Sequence, residues 1–219
     1  MLVLKRLALV VSASLFSTAV SAATLLDFTA DNTSFTWYGN SSGCGSGCNL
    51  GYQFTLDSTT TFDGLGLYDA DSDGLNDSHE VGVWDLGGNL LASTTVGPGT
   101  SSAEASASGA GSFVYETISN LVLGAGSYVI GAFYAVGTTD AVVFNASGVF
   151  SNVAGASYDG LRYSNTGLFG EPTNTGYEGG RYFGPNLRVA DVPVPASLLL
   201  IPTGFLGFAA LRRRKRKHA

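Results

Sequence analysis

Residues Val192 to Leu211, VPVPASLLLIPTGFLGFAAL, form a run of twenty residues without a charge, and the six residues behind it, Arg212, Arg213, Arg214, Lys215, Arg216 and Lys217, are all basic. A single globular core does not accommodate both. As a helix rising ~1.5 Å per residue, the run spans roughly 30 Å, the hydrocarbon thickness of a bilayer. Basic residues resist translocation, so the cluster is expected to stay cytoplasmic and stop transfer. Pro202 lies inside the run and is expected to kink it. An ordinary single-pass anchor is the simpler reading of this segment.

The other end of the chain is also a targeting segment. Lys5 and Arg6 precede the apolar stretch Leu7 to Val20, and Val20-Ser21-Ala22 offers the small residues of a cleavage site. Residues 1–23 therefore read as a secretory signal peptide. An uncleaved anchor competes with this reading, but the apolar stretch is short for a spanning helix. The sequence thus divides into a signal (1–23), a folded extracytoplasmic domain (24–191) and a C-terminal tail (192–219).

Charge is segregated along the same boundaries. The folded part holds all seventeen Asp and Glu but only Arg162, Arg181 and Arg188 as cations, a net charge of −14 that the whole-chain value of −6 conceals. Such a body repels phosphate backbones, which argues against nucleic-acid binding and favours divalent cations as partners. The two cysteines lie in Gly43-Cys44-Gly45-Ser46-Gly47-Cys48. In an exported chain a Cys44–Cys48 disulfide is the default, and so short a loop makes its stabilisation modest. A zinc pair competes, but it lacks a second cysteine pair or nearby histidines.

Within the domain the hydrophobic period is two. Tyr52-Gln53-Phe54-Thr55-Leu56 and Phe62-Asp63-Gly64-Leu65-Gly66-Leu67 alternate large apolar residues with small or polar ones, the mark of half-buried strands. Further strands are expected at 25–28, 35–38, 81–84, 90–96, 113–118, 128–134, 141–144, 157–163 and 181–189. Gly87-Gly88 suits a hairpin turn, and the Gly, Ser and Ala stretch 97–111 and the stretch 166–180 read as surface loops. About ten strands without a helical pattern predict an all-β fold, an antiparallel β-sandwich of jelly-roll type, with a barrel as the competing architecture. Most aromatic side chains are expected in its core, with some Tyr on an outer face as sugar platforms.

The sharpest local motif is Asp69-Ala70-Asp71-Ser72-Asp73-Gly74-Leu75-Asn76-Asp77-Ser78-His79-Glu80. It matches the twelve-residue calcium loop, with carboxylates at positions 1, 3, 5, 9 and 12, Gly at 6 and a backbone carbonyl at 7. Asp69, Asp71, Asp73, the Leu75 carbonyl, Asp77 and Glu80 form the expected calcium ligand set. The flanking segments read as strands rather than the helices of an EF-hand, so an acidic hairpin tip kept soluble by charge is the competing reading. His79 is the domain's one histidine, and one histidine in an acidic loop lacks the nucleophile and orienting partner of a triad. No spacing singles out a carboxylate pair. The chain is therefore expected not to be an enzyme.

The tail resembles that of PEP-CTERM proteins, exported substrates of exosortases in Gram-negative bacteria. The Pro motif Val192-Pro193-Val194-Pro195-Ala196, the apolar Ser197–Leu211 and the basic Arg212–Lys217 carry the resemblance; Val194 stands where the family usually has Glu. The folded part is similar to a β-sandwich module common in these proteins, through Phe62–Tyr68, Asp73-Gly74-Leu75, Ser78–Asp85, Leu123–Tyr134 and Gly180–Val189. The resemblance implies an inner-membrane intermediate, processing near the Pro motif by an exosortase-type enzyme, and a final place at the cell surface or in an exopolysaccharide matrix. It implies no particular ligand, and it implies that His79-Glu80-Val81-Gly82 enters a core strand.

Overall fold

A computed structural model describes residues 23–29, 34–36, 45–100, 102–109, 111–144, 146–176 and 182–190, all within the unit Ala22–Asp191. The signal segment, Cys44, the Pro motif 192–196 and the basic cluster 212–217 lie outside the described residues.

The described residues are all-β. The strands, in chain order, are β1 (Ala23–Thr24), β2 (Leu26–Asp27), β3 (Ser34–Thr36), β4 (Cys48–Leu56), β5 (Thr60–Asp69), β6 (His79–Asp85), β7 (Leu90–Val96), β8 (Ser102–Ala105), β9 (Ser112–Leu123), β10 (Gly126–Tyr134), β11 (Val142–Phe144), β12 (Phe150–Ser151), β13 (Ala156–Ser164), β14 (Asn174–Thr175), β15 (Tyr182–Phe183) and β16 (Pro185–Val189). Five strands form one sheet in the order β1-β16-β5-β9-β8, and six form another in the order β14-β13-β4-β10-β6-β7. Two small sheets, β15-β11-β3 and β12-β2, complete the set. Every pairing is antiparallel.

The alternation in sequence becomes the two faces of each large sheet. In β4, Leu50, Tyr52, Phe54 and Leu56 are buried while Gln53 and Thr55 are half-buried. The inward side chains of both large sheets meet in one sandwich-like core that includes Phe28, Tyr52, Phe54, Phe62, Leu65, Leu67, Tyr68, Phe113 and Phe183. Burying each large apolar side chain contributes about 1.5–3 kcal/mol. Rings meet edge-on or tilted, Phe28 to Tyr68 at 5.3 Å and Tyr52 to Phe183 at 5.3 Å, the arrangements an aromatic quadrupole favours.

Two buried polar residues tie distant segments together. Asn186, fully buried, donates from Nδ2 to the Leu26 carbonyl at 2.6 Å and accepts from the Leu187 N–H at 2.9 Å. Arg188 pairs with Asp63 at 2.7 Å, donates to Ser102 at 2.9 Å, and lies 5.6 Å from the centre of the Tyr115 ring.

The outer face of the six-stranded sheet carries a row of glycines. Gly131 of β10 stands opposite Gly51 of β4 and Gly82 of β6. Chain segment 165–173 lies over this row as a strap. A Cβ on Gly82 would fall 2.8 Å from Phe169, and one on Gly131 would fall 2.8 Å from Pro172. Trp84 and Phe169 meet at 5.5 Å, and Asn49 holds the strap by donating to the Leu168 carbonyl at 2.9 Å and accepting from the Gly170 N–H at 3.1 Å.

Two stretches differ from the sequence expectation. The loop expected at 97–111 contains β8, paired with β9; Ser, Ala and Glu give no apolar alternation, so the pairing comes from the neighbour rather than from the strand itself. The loop expected at 166–180 is the strap over the described part, with a short strand, β14, at its end.

Candidate functional site

The acidic loop joins the two large sheets. β5 ends at Asp69 in the five-stranded sheet, and β6 begins at His79 in the six-stranded sheet. The loop turns sharply at Ser72 (φ 59°) and Gly74 (φ 104°), both in the left-handed region that Gly adopts without penalty. Asp69 stabilises this turn: one carboxylate oxygen accepts from the Ser72 N–H at 3.1 Å and the other from the Gly74 N–H at 2.9 Å.

Asp69, Asp71 and Asp73 come together, with one carboxylate oxygen of each within 4.8 Å of the others. Burial pushes the Asp69 carboxyl above its ordinary range, and Asp71 adds to this against the two backbone donors. A hydrogen bond shared with Asp71, and its charge, raise Asp73 as well. Three crowded carboxylates thus repel one another, the electrostatic setting in which a hard divalent cation binds.

The rest of the twelve-residue set is arranged differently. The Asp77 carboxylate faces the 138–139 turn, where it accepts from Thr138 Oγ1 at 3.0 Å and the Thr139 N–H at 2.9 Å. Glu80 is exposed on β6, opposite Thr95 of β7. Leu75, whose carbonyl is the expected ligand, buries its side chain in the core at 5 % exposure. Positions 1 and 12 of the loop lie on strands of different sheets rather than on the paired helices of an EF-hand.

Sequence reasoning missed the residue that braces the loop. Asp140 is buried beneath it and accepts from the backbone N–H groups of Asn76 and Asp77, each at 2.8 Å. It also meets His79 Nε2 at 2.9 Å, while His79 Nδ1 lies 3.0 Å from the Phe133 carbonyl. Burial disfavours the Asp140 charge, but the His79 hydrogen bond and the two backbone donors outweigh it and hold its carboxyl below the usual range. A cleft of ≈ 210 Å³ lies here, with Asp69, Asp71, Asn76, Thr139 and Asp140 among its walls.

Among the residues whose side-chain burial is described, each Trp, Tyr and Phe is buried or half-buried. Cys48 is buried at the start of β4, and its expected partner Cys44 lies outside the described residues. Comparison with protein-family models, with curated proteins and with solved structures finds no match.

Proposed function

We propose that this chain is an exported, non-enzymatic protein of the cell surface or extracellular matrix, with a jelly-roll-like sandwich delivered by its C-terminal tail. The observation that supports the non-enzymatic reading is His79: it is 1 % exposed, and both ring nitrogens are engaged by Asp140 and the Phe133 carbonyl. The one imidazole of the domain is thus a strut between β10 and the loop that carries Asp140, closed to substrate. The delivery reading rests on the uncharged run and basic cluster of residues 192–217. In this reading the signal is removed after export, and the apolar run holds the domain at the inner membrane of a Gram-negative cell. An exosortase-type enzyme cuts near Pro193–Ala196, where two prolines keep the chain extended and accessible. The domain then joins the surface or an exopolysaccharide matrix, with Cys44 and Cys48 bridged in that oxidising setting. Deleting residues 192–219 is expected to move the protein from the membrane and surface fractions into the soluble periplasmic fraction. An unchanged distribution on fractionation contradicts delivery by the tail.

A second reading, calcium binding by the acidic loop, is favoured by the convergence of Asp69, Asp71 and Asp73. The signs of the carboxyl shifts make it testable. Raised folded-state pKa values mean that the stability these groups give is present below about pH 4 and lost as pH rises through the raised values, so their repulsion opposes folding at neutral pH. Without calcium, Asp71→Asn is therefore expected to melt no lower than wild type. Millimolar calcium is expected to raise the melting temperature of wild type and leave that of the variant unchanged. An equal response of the two proteins, or no heat of binding in calorimetry, removes calcium from the account.

A further inference from the structure

The residues directly behind the expected signal are built deeply into the sandwich. Thr24 is 4 % exposed, and Leu25, Leu26 and Phe28 are at 0 %, 1 % and 1 %. Segments distant in the chain hold them. β1 pairs with β16, and β2 pairs with β12. The Leu25 N–H donates to the Leu187 carbonyl at 2.7 Å, and the Leu25 carbonyl accepts from the Asn152 N–H at 3.2 Å and from Ser151 Oγ at 3.1 Å. Thr24 Oγ1 accepts from Asn152 Nδ2 at 2.8 Å. The Asp27 carboxylate accepts from Ser106 Oγ at 2.7 Å and from the Ala107 N–H at 2.9 Å. The Phe28 ring meets Tyr68, Phe113 and Phe183.

A buried segment at this place conflicts with the cut expected beside it. A peptidase binds its substrate as an extended strand on both sides of the scissile bond. A cut after Ala22 or Ala23 needs the following residues in that form, whereas the sandwich needs the same residues paired and buried. The two uses exclude each other. Chain length adds a second conflict. Ser21 and Ala22 alone separate the apolar stretch Leu7 to Val20 from β1, a reach of about 7 Å. That is no more than the depth of one headgroup layer, about 5–7 Å, so a signal held in the membrane keeps β1 from its place beside β16. β1 is also an edge strand of its sheet, so it can join after the other strands have paired.

We infer that residues 23–28 are a latch, which completes the sandwich only after the signal is cut from its end. Cleavage then precedes the final step of folding, and the folded domain no longer presents the cut site. Before the cut, the aromatic core lacks Phe28, and the buried Asn186 lacks the Leu26 carbonyl that its side chain engages. After the cut, the freed end closes against β16 and β12. The inference rests on the export reading above, and its test separates the two.

The test uses the full-length chain in cells that export it. The cells are opened by freeze–thaw, so that every copy is within reach, and digested with proteinase K. Wild type is expected to lack residues 1–22 or 1–23 and to leave a resistant domain. Ser21→Asp with Ala22→Asp blocks a cut at either place, because small residues are needed at the first and third positions before it. The uncut chain is expected to be digested at least tenfold faster than wild type. A twelve-residue spacer of Gly-Gln-Gln repeats placed behind position 22 of that variant reaches about 40 Å. It is expected to restore resistance with the signal still attached, as read by mass spectrometry. An uncut chain as resistant as wild type, or a spacer that restores nothing, overturns the latch and leaves the signal reading standing. A wild type that keeps residues 1–22 overturns both.

Discussion

Replacing Asp140 with alanine is expected to cost the sandwich about 2–4 kcal/mol, because it removes a buried acceptor and a donor left unsatisfied costs about 1–3 kcal/mol. Asp140 is 6 % exposed and serves three donors at once: His79 Nε2 and the N–H groups of Asn76 and Asp77. Alanine strands all three, and each buried unsatisfied donor is costly. In a domain of this size the loss corresponds to a fall in melting temperature of about 10 °C. The variant also has a pH signature. Because the Asp140 carboxyl is held below its usual range in the folded state, its contribution is present above the unfolded pKa of about 4 and is lost as pH falls through the depressed folded value. The difference between wild type and Asp140→Ala should therefore be constant near neutrality and shrink in strong acid. A constant difference down to pH 2 in chemical denaturation contradicts the role assigned to the carboxylate.

The second large effect is expected at the strap. Gly131→Val puts a Cβ 2.8 Å from Pro172 Cγ and 2.9 Å from Cδ, a contact a proline ring on a pinned segment relieves only by moving away. Overpacking of this kind costs about 1–3 kcal/mol. If the strap lifts, Trp84, now 4 % exposed, meets water, so its emission should shift to the red and the 165–173 segment should become cleavable by chymotrypsin at Phe169. Gly124→Val is the matched control, since a Cβ there meets nothing within 4 Å. Retained emission and protease resistance in Gly131→Val would show that the strap is not held by the glycine row.

The parts of the fold legible in the sequence are those whose signal is local. β4 and β5 alternate within their own residues, so Tyr52, Phe54, Leu65 and Leu67 are recognisable as core from spacing alone. β8 is not, because Ser-Ala-Glu-Ala has no apolar contrast and owes its form to β9. The strap is equally hidden: its cover depends on Gly82 and Gly131 standing side by side on two strands that are far apart in the chain.

At the candidate site the same distinction holds. Asp69, Asp71, Asp73 and Gly74 are marked by their spacing, and the structure brings the three carboxylates together. The partner of His79 lies 61 residues away at Asp140, in a stretch with no motif. Nor does spacing reveal that Asp69 and Glu80 lie on strands of different sheets.

The central claim, that the tail delivers and then releases an anionic sandwich, is tested most directly by mass spectrometry of the protein recovered from the cell surface. The account predicts a mature chain that begins near Ala23 and ends within residues 192–196. A surface protein that retains its C-terminus through Ala219 contradicts it.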